Sequence, residues 1–158
     1  MDKVMALPVG ELALPDCALY LWVTGPMHFQ LQSLIPAWGF EYSGYAFSWI
    51  KTARSGAPLI GCGYTTRHNV ELCLLARRGH PKRLHADVPE AILEPRRESM
   101  RKPDCIYPRI ERLYPGPHCE LFARCTRKDW DSWGDEVGRF GEVIAQWISR
   151  TEDVLAAK

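Results

Sequence analysis

No stretch of the 158 residues approaches eighteen consecutive apolar positions, so no membrane-spanning helix is expected, and no secretory signal is read. No two of the six cysteines, Cys17, Cys62, Cys73, Cys105, Cys119 and Cys125, have Cys-x-x-Cys spacing. His118-Cys119 with Cys125 also lacks the spacing of a zinc site, which argues against a bound metal. Several of the cysteines stand inside apolar runs, as buried free thiols do, and a reducing cytoplasm is the simplest compartment. Internal repeats and linkers are absent too, so the chain reads as one domain. That length buries roughly 70% of the surface an unfolded chain exposes, enough for a core without disulfides.

What is present is ordinary in bulk and uneven in detail. Hydrophobic residues make up 46% and charged residues 25%, the balance of a soluble globular protein. The net charge of +1 hides a gradient. Residues 1–50 hold one lysine against four acids, whereas residues 77–128 hold 13 lysines and arginines against 7 acids. Residues 129–158 are acidic again, with seven acids against three cations. A basic middle suits an anionic ligand or a nucleic-acid backbone; a solvated basic face is the plainer alternative.

Apolar patterning places the elements. Residues 18–24, ALYLWVT, read as a buried strand stopped by Gly25-Pro26. Residues 27–38 read as a helix with Gly39 as its C-terminal stop and Pro36 as an irregularity in the last turn. Residues 41–51, rich in aromatic and β-branched side chains, read as a strand, 52–66 as a glycine-containing loop and 70–76 as another buried strand. A basic turn over 77–87 leads to a short strand at 91–93 and a charged loop. Pro103 suits the first position of a helix with Ile106, Ile110 and Leu113 on one face. Tyr114-Pro-Gly-Pro ends it, residues 119–123 form the next strand, and a polar loop runs to Gly134-Asp135-Glu136. A terminal amphipathic helix is expected over 140–157. Strands alternating with helices argue for an α/β fold with a largely parallel sheet.

Five segments carry a specific resemblance: LPVGELA (7–13), LYLWVTGP (19–26) with AWGFEY (37–42), WIKT (49–52), RRESMRKPDCIYPRIERLYPG (96–116), and ELFAR (120–124) with WDSWGDE (130–136). In order and spacing the chain resembles, over about residues 1 to 137, the adenosine methyltransferase family named for the seventy-kilodalton subunit of the eukaryotic mRNA enzyme. The resemblance implies a Rossmann-like three-layer α/β fold that binds S-adenosylmethionine and methylates the exocyclic amine of adenine in DNA or RNA. On this reading residues 138–158 are a helix packed on the same domain.

The resemblance also implies site residues. Lys102 would reach the carboxylate of the cofactor's methionine part, where an ammonium acts as a point charge. Arg124 would contact the ribose region, and the loop of Asp135 and Glu136 would grip the ribose hydroxyls as carboxylates do in dinucleotide folds. Asp135 departs from the family's asparagine, keeping the acceptors and losing the donor. Lys102 and Arg124 also read simply as exposed charges at the ends of elements. Tyr64, Arg67 and His68 lie on a loop that either faces substrate or is plain surface. Trp130 and Trp133 read as packing residues before base-stacking ones.

The family's reaction centre, Asp-Pro-Pro followed by an aromatic residue, occurs nowhere in the sequence. Its acceptors would hold the amine hydrogens and its ring would stack the base. No catalytic residue is therefore assigned. The expectation is a chain lacking its catalytic strand and inactive alone, through a late start, degeneration or division between two chains. The alternative is an inactive member serving as a nucleic-acid-binding or scaffold partner of an active enzyme. A chain with an uncovered strand would need self-association, a partner or a rearranged sheet.

Overall fold

The computed structural model describes residues 1–140. The chain divides into two compact units, Met1–Tyr114 and Pro115–Lys158. The amphipathic helix expected over 140–157 lies, from residue 141 on, outside the described residues.

The first unit opens with two single-turn helices, α1 (Asp2–Met5) and α2 (Val9–Leu12), which the apolar pattern does not signal. They are tied to the body by side chains from later elements. The Trp38 indole donates to the Val4 carbonyl at 3.1 Å, and the Arg78 guanidinium donates to the Gly10 carbonyl at 2.5 Å. Strand β1 (Cys17–Val23) is followed by a 3-10 turn (Gly25–Gln30) that runs into α3 (Leu31–Ala37). Gly39, at φ 79°, closes α3. Its N–H bonds the Pro36 carbonyl at 2.9 Å and the Phe40 N–H bonds the Ile35 carbonyl at 3.1 Å, the paired bonds of a left-handed helix stop. Strands β2 (Glu41–Thr52), β3 (Val70–Arg78) and β4 (Ala91–Pro95) and helix α4 (Ile106–Leu113) complete the unit.

The strands, α3 and α4 of this unit fall where apolar runs and turn residues place them, but the sheet does not have the expected direction. Its order is β1-β3-β2-β4, with β3 antiparallel to both β1 and β2, and only β2 and β4 parallel. The sheet is mixed, not largely parallel. The cause is the connection between β2 and β3: residues 53–69 contain no helix, so the chain returns beside itself as a wide hairpin. β1, α3 and β2 still make a crossover with parallel ends, and β3 is inserted between its strands. The fold is mixed α/β, compatible with a methyltransferase fold.

β3 is the central strand, and its neighbours Cys73 and Leu74 are both buried, one on each face. Phe47, Trp49 and Ile92 join them, with Leu34, Ile35, Trp38 and Phe40 from around α3. Tyr20 stacks on Phe47 with ring centroids 5.8 Å apart. β1 is not the buried strand expected. It forms one edge of the sheet, and only Val23 in it is buried. In α4, Ile106 and Ile110 are buried as expected, together with Tyr107, while Pro103 lies in the turn before the helix.

In the second unit β5 (His118–Leu121) pairs in parallel with β6 (Trp130–Trp133). The second strand falls where a polar loop is expected. Asp131 and Ser132 between them mask the preference of Trp130 and Trp133 for extended backbone. His118 stacks on Trp130 with centroids 4.6 Å apart. β5 is half-exposed instead of buried.

Phe47→Ala removes a fully buried ring and is expected to lower the unfolding free energy by about 3–5 kcal/mol. Tyr42→Ala, on the same strand but exposed, should stay within about 0.5 kcal/mol of the parent. Urea unfolding of both variants checks the register, since equal losses would contradict it.

Candidate functional site

At one end of the first unit's sheet the strands deliver charge onto an aromatic floor. Lys51 stands one residue before the end of β2, and Glu71 one residue after the start of β3. The register sets Glu71 opposite Trp49 and Cys73 opposite Trp22 and Phe47, so these side chains share one face. Trp49 is fixed by its indole N–H, which donates to the Glu94 carbonyl at 3.0 Å, and meets Trp22 edge-on at 6.5 Å. Lys51 Nζ donates to Glu71 Oε1 at 2.5 Å, and Lys102 Nζ donates to the other oxygen, Oε2. Each ammonium also lies over a ring: Lys51 is 5.2 Å from the centroid of Trp49 and Lys102 is 5.4 Å from that of Trp22.

The three charged side chains are 20–23% exposed, partly withdrawn from water. Burial alone would raise the Glu71 carboxyl, but the hydrogen bonds and charges of Lys102 and Lys51 outweigh it and hold it below the usual range. Cys73, beneath the cluster, is pushed up to about 12 by burial and stays a neutral thiol. Lys102 comes from the loop between β4 and α4, which is shaped by ion pairs of Arg97 and Arg101 with Glu98 and Asp104. The buried Pro103 anchors it immediately afterwards.

The second unit builds a similar device. Arg124 follows β5, and the Ala123 N–H before it donates to the Trp133 carbonyl at 2.9 Å. Arg124 Nε donates to Glu136 Oε2 at 2.5 Å, and Arg139 donates to Oε1 at 2.5 Å. The Arg124 hydrogen bond, with both guanidinium charges, holds the Glu136 carboxyl below its ordinary value. Asp135 is exposed beside it. Phe122 adopts φ 59°, an uncommon backbone for a bulky residue, and its half-exposed ring meets Trp133 at 5.9 Å.

Tyr64, Arg67 and His68 are all exposed on the loop over 53–69. This loop is rooted in the Lys51–Glu71 cluster: the Lys51 N–H donates to the Asn69 carbonyl at 2.8 Å, and the Leu59 N–H to the Lys51 carbonyl at 2.9 Å. A second pairing, Cys62 with His68, closes it, and a Cβ at Gly61 would lie 1.6 Å from the His68 carbonyl oxygen. The structure thus joins Arg124 to Glu136, and the loop of Tyr64, Arg67 and His68 begins and ends beside Lys51 and Glu71. Lys51 and Glu71 are the partners that sequence reading missed. Their one signal is a charge at the end of an otherwise apolar strand. No group of three metal-ligating side chains occurs among the described residues.

Known proteins resemble the chain over most of its length. The MT-A70 family model matches residues 1–136. A type II methyltransferase of Mycoplasma, M.MunI, is 29% identical over 140 residues, covering 87% of this chain and 58% of its own. The MT-A70-like N(6)-adenosine-methyltransferase of Drosophila melanogaster is 31% identical over 166 residues, covering 96% of this chain and 26% of its own. The catalytic subunit METTL3 of the human N(6)-adenosine-methyltransferase is 29% identical, covering 99% of this chain and 31% of its own length. The chain therefore spans between about a quarter and three-fifths of these relatives. With the ordered segments from LPVGELA to WDSWGDE all inside the matched residues, the chain belongs to the MT-A70 family.

Proposed function

We propose that the chain is the cofactor-holding part of an S-adenosylmethionine-dependent methyltransferase that acts on the exocyclic amine of adenine in DNA or RNA, in a reducing compartment. The observation that carries this reading is the state of Lys102 and Arg124. Both cations are held in place and each already donates to a carboxylate, Glu71 or Glu136. The donor set therefore fits a ligand that ends in a carboxylate and carries hydroxyls. Bound there, the cofactor would supply an electrophilic methyl group on a sulfonium.

The chain's own residues would bind and orient. Lys102 would take the carboxylate. Arg124 would contact the ribose region, and Asp135 and Glu136 would accept its hydroxyls. The loop over 53–69 and the end of β4 offer Arg54, Arg67, His68 and Arg96 as exposed cationic or titratable groups for phosphates, and the exposed Tyr64 ring for a base. The adenine would have to be single-stranded or flipped from a duplex to reach the site.

Acceptors for the amine hydrogens would come from an Asp-Pro-Pro-aromatic segment, which these 158 residues do not contain. The open edge of β1 is where the strand of a Rossmann-like sheet carrying that segment would join, from the same or another chain.

Calorimetric titration of the chain with S-adenosylmethionine should show binding. Lys102→Ala and Arg124→Ala should each weaken it about tenfold or more, the scale of a lost charged hydrogen bond. No heat from the parent chain would remove the cofactor reading. In a methyl-transfer assay on adenine-containing oligonucleotides the 158 residues alone should be inactive. Detectable transfer would place the amine acceptors inside this sequence.

A further inference from the structure

The Lys51–Glu71–Lys102 group holds two positive charges and one negative, all three partly out of water. A single lysine would neutralise Glu71, so the second needs an explanation. The two are not equivalent. Lys51 sits on β2 with both backbone groups bonded, to Asn69 and Leu59, and its ammonium rests over Trp49, which is buried. Lys102 sits on a loop next to the exposed Met100, and its ammonium rests over Trp22, on the sheet's open edge strand. Lys102, whose backbone lies outside the sheet, is the one that can turn outward with the strand pairing left intact.

If it did so without Lys51, Glu71 would be left partly buried with no counter-ion, which is strongly unfavourable for a carboxylate. It would then take up a proton. We propose that Lys51 is a positioning residue that keeps Glu71 ionised and in place while Lys102 transfers from Glu71 to the carboxylate of the incoming ligand. The group is a receptor preloaded with an internal carboxylate, carrying one surplus positive charge for an external one. This rests on the reading of Lys102 as a cofactor contact.

The groups facing Glu71 are Lys51 from β2, Lys102 from the loop and the neutral Cys73 thiol from β3; Glu94 on β4 stands opposite Lys51 in register. Because the folded chain holds Glu71 below its ordinary value of 4.5, the stability this adds is complete above that pH. It is lost as pH falls through the lower folded value.

The test is calorimetry with S-adenosylmethionine at about pH 6 in two buffers of different protonation enthalpy, beside carbon NMR of the Glu71 carboxyl, assigned with Glu71→Gln. The parent should bind without proton uptake, its Glu71 signal staying in the ionised position. Lys51→Met should bind about tenfold or more weakly and take up a proton, with the Glu71 signal moving to its protonated position. Lys51→Arg should restore both. Lys51→Met binding like the parent with no proton uptake would overturn the proposal. A second arm needs no cofactor: in ligand-free Lys102→Ala, Glu71 should still titrate below its ordinary value, held by Lys51. A Glu71 that rises to that value or above would overturn the proposal. No heat from the parent with a low Glu71 in Lys102→Ala would overturn the cofactor reading while leaving Lys51's role supported.

Discussion

β3 runs antiparallel between two strands that are parallel to each other, and the Lys51–Glu71–Lys102 cluster depends on that direction. Because β3 is reversed, its first residues lie beside the last residues of β1 and β2. Glu71 therefore stands level with Trp49 and next to Lys51, and Leu72 stands level with Val23. Had β3 entered in the same sense as its neighbours, Glu71 would lie beside Glu41, about 25 Å from Trp49 at about 3.3 Å per residue. Two carboxylates would then meet with no lysine near, and Lys51 and Lys102 would have no internal partner. The helix-free return over 53–69 is what makes the reversal possible, and it also hangs Tyr64, Arg67 and His68 over the same end of the sheet.

The elements were legible where local chemistry decides them. Gly25-Pro26 stops β1, and Gly39 stops α3 because its missing Cβ tolerates the left-handed turn that pairs Phe40 with Ile35. The apolar run at 70–76 gave away a buried strand because both of its faces are covered. What was not legible depends on residues distant in sequence. The direction of β3 follows from what fills the return before it, which alternation of apolar residues does not encode. β6 was hidden because its strand-forming tryptophans alternate with charge and a hydroxyl and its pairing partner lies twelve residues back. The site shows the same division. Lys102 and Arg124 are singled out by a resemblance to long motifs, whereas their ion-pair neighbours Glu71, Lys51 and Arg139 needed coordinates, since nothing in a strand's sequence says which charge will face it across the sheet.

The two units use one electrostatic device. In each, a carboxylate offers its two oxygens to two cations from different places in the chain: Lys51 and Lys102 on Glu71, Arg124 and Arg139 on Glu136. A carboxylate bridged in this way orients long, flexible cationic side chains that would otherwise sample many rotamers, and so lowers the ordering cost of a later ligand. The lysine pair is partly buried and over aromatic rings, where charge is worth more. The arginine pair sits nearer to solvent, where screening weakens it.

The charge balance of the two devices differs, and the difference bears on which part of a ligand each would take. Asp135, the departure from the family's asparagine, adds a carboxylate next in sequence to Glu136, so the loop brings two negative charges against the two positive charges of Arg124 and Arg139, which pair with Glu136. A third anion there would gain little. A neutral hydroxyl would lose little, because carboxylate oxygens with spare lone pairs remain to accept it. Around Glu71 the sum is positive by one, on a floor of tryptophan that cannot supply an anion. By charge alone an added anion therefore gains more beside Lys102 than beside residues 135 and 136.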